Sequence, residues 1–153
     1  MVAGTHNSIE GMFLVSGAAV VLRASGKQSE AFLTRVEGLL ERLWHDDPWA
    51  GLADRTAFEI AVIEAVSNSI RHALPAPGRS MVLEVELRPS YRRLEAEVRE
   101  VGAEPTPLAR HDTGSAPDAG RGMAMLKQLM TDVRYERADD ANVWTLGRDR
   151  TDI

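Results

Sequence analysis

The sequence contains no cysteine, which excludes disulfides, thiolate catalysis and cysteine-ligated metal. It also lacks a long hydrophobic run. Its most apolar stretch, Met12 to Leu22, is far shorter than the roughly 20 residues a membrane span needs. Met1 to Gly11 is short and polar, with no basic start, so a signal peptide is not expected. These absences point to a cytoplasmic protein with no membrane association. Basic charge is scarce too: 18 Lys and Arg stand against 23 Asp and Glu, for a net charge of -5. Phosphate-backbone binding rests on clustered Lys and Arg, so no direct contact with nucleic acid is expected. Internal repeats and low-complexity segments are missing as well.

What remains is an ordinary globular composition, 44% hydrophobic and 27% charged, in 153 residues. That length suits one domain, here 1–153 with a core over about 12–148. The run Met12–Leu22 is expected as a buried strand or hairpin. Phe32, Val36, Leu39, Leu40 and Leu43 then recur at three- and four-residue spacing, which predicts a helix from about Gln28 to Trp44. Asp46-Asp47-Pro48 ends it. A second helix is expected from Asp54, as its cap, to about Ala73, and Leu74-Pro75-Ala76-Pro77-Gly78 breaks it. Met81, Leu83, Val85 and Leu87 alternate with polar neighbours, as do Leu94, Ala96 and Val98 beyond the turn at Pro89-Ser90. Both runs carry the two-residue period of half-buried strands in a hairpin. Residues 101–119 show no period, and an irregular stretch of that length in a compact domain is usually functional or mobile. A third helix, Arg121 to Met130, and strands over 132–137 and 142–148 complete the chain. Antiparallel strand pairs with helices clustered elsewhere predict an α+β two-layer sandwich, a mostly antiparallel sheet packed on three main helices.

On the second helix, residues four and seven apart share a face, which aligns Glu64, Asn68 and Arg71 in one polar stripe. Phe58, Val62, Ala65, Val66, Ser69 and Ala73 fall on the opposite side, and Ile60, Ile63 and Ile70 flank the stripe. A carboxylate among isoleucines is partly desolvated, which suits a general base. A carboxamide oxygen one turn on suits Mg²⁺, which keeps waters and substrate phosphates as further ligands. Spacing alone leaves a solvated polar face equally open.

The words around these residues are more specific. Glu64-Ala-Val-Ser-Asn68-Ser-Ile-Arg-His72-Ala73 resembles the N-box of GHKL (Bergerat-fold) ATPases. Within that superfamily it is most similar to the small anti-sigma serine-protein kinases, with the pattern E-A-x-x-N-x-x-x-H-A. A second segment, Gly120-Arg121-Gly122-Met123-Ala124-Met125-Leu126, resembles the family's G-x-G-L-x-L box, expected directly before a helix. Glycines at such a junction let the backbone approach a phosphate, and free N–H groups there favour anions. The third box departs from its pattern. Where the family has D-x-G-x-G this chain has Glu100-Val101-Gly102-Ala103-Glu104, so the acceptor is one methylene longer and a carboxylate replaces a glycine. Glu100 falls on the inward parity of its strand, with Leu94, Ala96 and Val98.

The resemblance covers about Gly26 to Leu146 and implies the Bergerat ATP-binding fold with ATP and Mg²⁺ as cofactors. It implies Glu64 as the group that activates a hydroxyl and Asn68 as the magnesium ligand. Arg71, His72, Glu100, Gly102, Gly120, Arg121, Gly122 and Met123 are the further nucleotide-binding candidates, with 101–119 as a lid. The implied function is an anti-sigma factor that binds an RNA polymerase sigma factor and phosphorylates a serine of an anti-anti-sigma (STAS-type) protein. A homodimer through about Met12 to Trp44 is also implied. The alternative is a catalytically impaired protein-binding module that regulates a partner without kinase activity, an alternative that Glu104 favours.

Overall fold

A computed structural model describes the backbone of residues 11–15, 19–106 and 117–151, and the side chains of 20–106 and 122–151. The elements run β1 (Gly11–Val15), β2 (Ala19–Gly26), α1 (Glu30–Asp46), α2 (Leu52–His72), β3 (Val82–Pro89), β4 (Arg93–Val101), α3 (Pro117–Leu129), β5 (Asp132–Ala138) and β6 (Ala141–Asp149). The six strands form one sheet in the order β1-β2-β3-β4-β6-β5, and every neighbouring pair is antiparallel. The apolar N-terminal run is thus a hairpin, with Gly11 opposite Arg23 and Val15 opposite Ala19.

The two-residue period of the strands decides which face is covered. Leu83, Val85 and Leu87 of β3 and Leu94, Ala96 and Val98 of β4 are buried in a single cluster. Phe32, Val36 and Leu40 of α1, Phe58, Val62 and Val66 of α2, and Leu126 of α3 join it from the helices. The opposite parity of the central strands is charged, and Glu84, Glu86, Arg88, Glu97 and Arg99 pair there in partly exposed ion pairs. This is the expected α+β sandwich of an antiparallel sheet and three helices.

Helix boundaries depend on capping groups. Ser29 caps α1, its hydroxyl accepting from the Phe32 N–H at 3.3 Å. Asp54 does not cap α2, contrary to expectation. The helix starts at Leu52 behind Gly51, which offers no side-chain cap. Asp54 is instead fully buried and accepts from Arg148 Nε at 2.8 Å, from the Thr151 N–H at 2.9 Å and from the Thr151 hydroxyl at 3.0 Å. Arg148 also donates to the Leu129 carbonyl at 2.6 Å, so one guanidinium joins the start of α2 to the end of α3. The other end of α2 is held by Gln28, whose Nε2 lies 2.8–3.0 Å from the Ser69, Ile70 and Ala73 carbonyls.

Candidate nucleotide site

The polar stripe of α2 forms as its spacing requires. Arg71 Nη2 donates to Asn68 Oδ1 at 2.8 Å and lies 3.8 Å from Glu64 Oε2. Asn68 is buried, Glu64 is about three-quarters buried at 23% side-chain exposure, and Arg71 reaches into solvent. Ile63 and Ile70 pack against the core beside the stripe, whereas Ile60 is largely exposed at 42%. The wall that covers the carboxylate and the carboxamide is therefore not isoleucine on both sides.

That wall is α3. Gly122 is buried against the stripe, and a β-carbon there would stand 3.0 Å from Glu64 Oε2 and 3.0 Å from Asn68 Nδ2. Any larger residue would make these two side chains give way by a few tenths of an ångström. The glycine pair does not, however, precede its helix as expected. The helix begins earlier, at Pro117, a residue well suited to a first helical position because it has no N–H to leave unpaired. Gly120, Arg121 and Gly122 lie inside α3, so the Gly122 N–H is not one of the free amides at the open helix end. Met123 packs partly buried against the core. The irregular segment between β4 and α3 lies outside the described residues over 107–116, as does the side chain of Arg121.

The β4 end of the site centres on Glu100, 1% exposed and inward as its parity requires. Three donors surround its carboxylate. The Ser69 hydroxyl donates to Oε2 at 2.5 Å, the Tyr135 hydroxyl to Oε1 at 2.6 Å and Asn142 Nδ2 to Oε1 at 3.1 Å. Register explains the convergence: Glu100 is directly opposite Asn142, and Tyr135 directly opposite Trp144. The Tyr135 ring stacks on Trp144 with centroids 4.2 Å apart and planes 18° from parallel. Burial first, and then the negative charge of Glu100, push the Tyr135 phenol well above its ordinary pKa, so it remains a neutral donor. The Trp144 indole N–H is buried without a hydrogen-bond acceptor among the described residues.

Just beyond Glu100 the chain is fixed by its backbone. Gly102 has a φ of +84°, and a β-carbon there would collide with the Ser80 carbonyl oxygen. Its N–H donates to the Asp140 carbonyl and its carbonyl accepts from Ala76, both at 2.9 Å. The Glu104 N–H donates to the Leu74 carbonyl at 2.8 Å, and its own carbonyl accepts from Asn142 at 2.9 Å. Gly102 and Glu104 thus join the loop after α2 to the β5–β6 turn. His72, the last residue of α2, is exposed beside Arg71, whose cationic side chain complements the helix dipole.

Sequence reasoning placed Glu64, Asn68, Arg71 and Glu100 at the site but missed Ser69, Tyr135 and Asn142. Ser69 falls on the apolar side of α2 by its angle on the helix. Tyr135 and Asn142 become partners of Glu100 only through the β4–β6–β5 register.

The side chains on the α2–α3 side of this arrangement have the chemistry that a magnesium nucleotide requires. Among the described residues no group of three or more His, Cys, Asp or Glu gathers, and Mg²⁺ needs no such group when phosphates and waters complete its shell. Asn68 Oδ1 carries one bond from Arg71 and keeps a second lone pair. A side chain at Gly122 would crowd Glu64 Oε2 and Asn68 Nδ2. Among the described residues no helix is long and apolar enough to cross a membrane. No curated protein matches the sequence. A family model, the histidine kinase-like ATPase domain, matches residues 23–147 and so takes in β3, β4, all three helices and the α2–α3 contact. The chain belongs to the histidine kinase-like, GHKL-type ATPase domain family, whose members bind ATP.

Proposed function

We propose that this domain is an anti-sigma serine-protein kinase. It binds Mg-ATP between α2 and α3, phosphorylates a serine of a STAS-type anti-anti-sigma protein, and holds an RNA polymerase sigma factor inactive when that partner is absent. It does so in the cytoplasm as a homodimer paired through about Met12 to Trp44. The observation that carries the reading is the juxtaposition of Gly122 with Glu64 and Asn68. A base, a hard oxygen ligand and a close-approaching backbone meet at one point, in a chain of an ATPase family.

In this reading each side chain has one task. Glu64 Oε2 accepts the proton of the attacking serine hydroxyl. Asn68 Oδ1 is the protein ligand of the magnesium. Arg71, within reach of both residues and open to solvent, places a positive charge beside the phosphates. Bound Mg-ATP supplies the transferable phosphoryl group and the neutralising charge, and catalysis is mostly positioning. The test is phosphate incorporation into a STAS-type protein. Glu64→Ala should abolish it and leave ATP affinity nearly unchanged. Transfer that survives Glu64→Ala would remove the carboxylate from the mechanism.

One observation favours a second reading, a protein-binding module without kinase activity. Glu100, which by family resemblance accepts from the adenine amino group, is already bonded by three internal donors. The carboxylate of Glu104 adds negative charge where the family has glycine. ATP calorimetry on Glu104→Gly addresses that charge: tighter binding than wild type places it near the phosphates, and unchanged binding places it clear of them.

A further inference from the structure

We propose that Tyr135 is a built-in competitor for the Glu100 carboxylate, occupying the acceptor that an amino-bearing base must reach and so setting the affinity of the site for nucleotide. The inference rests on the nucleotide-binding reading above.

Besides its hydrogen bonding with Thr106 and Asn142, Tyr135 makes two contacts of the kind an aminopurine makes in a protein pocket. A flat ring lies against an aromatic wall, 4.2 Å from Trp144, and a polar hydrogen at its edge meets a carboxylate, 2.6 Å from Glu100 Oε1. Glu100 is 1% exposed, so an incoming amino group reaches it only if a side chain packed over it withdraws.

The three donors differ in how firmly they are held. Ser69 is fully buried on α2, in the last turn held by Gln28. Asn142 lies on β6, inside the sheet, and its side chain also bonds the Glu104 carbonyl and Arg137. Tyr135 stands on β5, the edge strand among the described residues. Movement of β5 away from Trp144 would break sheet pairing on one side only, whereas movement of β6 would break it on both. The buried Trp144 N–H has no acceptor among the described residues.

Calorimetric titration of Mg-ATP and of Mg-ITP, whose base has a carbonyl oxygen in place of the amino group, tests this on wild type and Tyr135→Phe. The phenylalanine keeps the stack and removes the hydroxyl. ATP should bind the variant roughly tenfold more tightly than wild type, the worth of one charged hydrogen bond no longer displaced. ITP should gain little, and the unliganded variant should melt at a lower temperature because Glu100 has lost a donor. Measurable wild-type binding with no gain in the variant would overturn the competitor and leave the nucleotide reading standing. An equal gain for both nucleotides would also overturn it, as general loosening. No binding by either protein at millimolar ATP would overturn both. If Tyr135→Phe fails to fold, Tyr135→Met is read by the same comparison.

Discussion

Gly122 lies so close to Asn68 that a β-carbon added to it would stand 3.0 Å from the Asn68 amide nitrogen. This one contact joins the helix that carries the polar stripe to the helix that carries the glycine pair. Glycine here is explained by the approach of α3, since a helix interior otherwise disfavours it by about 1 kcal/mol relative to alanine. Gly122→Ala should therefore leave stability within about 1 kcal/mol of wild type, the gain in helix propensity offsetting the crowding. Mg-ATP affinity should fall roughly tenfold. Urea unfolding and calorimetry on one preparation check both, and unchanged affinity would mean that α3 has room to spare over Asn68.

Gly102 is constrained by a different cause. Its φ of +84° is strained for any other residue, and the Ser80 carbonyl fills the space where a β-carbon would go. Gly102→Ala should cost about 3 kcal/mol, combining the left-handed backbone penalty with the collision. The midpoint of urea unfolding reads this directly. A loss below about 1 kcal/mol would show that the 74–80 loop yields easily.

Asp54 and Arg148 form an ion pair with the carboxylate fully buried and the guanidinium 18% exposed. Removing one partner strands the other, and buried pairs broken in this way cost about 3–5 kcal/mol. Asp54→Ala should lie near the lower end, about 3 kcal/mol, because Arg148 keeps its bond to Leu129 and some contact with water. Arg148→Met, tested beside it, should be comparably damaging because it leaves a buried carboxylate. If either variant unfolds at the wild-type midpoint, the link between α2 and α3 is not a source of stability.

Tyr135 predicts an alkaline limit. Its folded pKa is raised above the ordinary value near 10, chiefly by burial and secondarily by Glu100. A raised folded pKa contributes stability fully present below the unfolded pKa and lost as pH rises toward the folded value. Stability should thus begin to fall as pH passes about 10, where the unfolded phenol ionises and the buried one does not. Tyr135→Phe should be less stable than wild type at pH 8 but decline less steeply from pH 9 to 11. Parallel declines would assign the alkaline loss to other groups.

Much of the fold was legible because its signals are local. The spacing of Phe32, Val36, Leu40 and Leu43 predicts α1, and the alternation through Leu83 to Leu87 and Leu94 to Val98 predicts a hairpin; both are in the structure. The Glu64, Asn68 and Arg71 stripe follows from helix rotation alone. Asp54 misled because a capping residue and a buried first-turn aspartate look alike until its partner, Arg148, is brought beside it by the fold. The start of α3 reads late in the sequence because glycines read as loop, whereas tertiary contact with Glu64 and Asn68 accounts for Gly122 within a helix. The partners of Glu100 lie 31 to 42 residues away in sequence, and no local period connects them.

The central claim is that α2 presents a magnesium-nucleotide site through Asn68, beside the carboxylate of Glu64. The most direct measurement is calorimetric titration of ATP into wild type and Asn68→Ala, with Mg²⁺ and with chelator in excess. The account predicts that wild type binds more tightly with Mg²⁺ than without, and that Asn68→Ala binds equally weakly in both conditions. A wild-type protein that binds no ATP at millimolar concentration, or an Asn68→Ala variant that keeps the full magnesium effect, would contradict it.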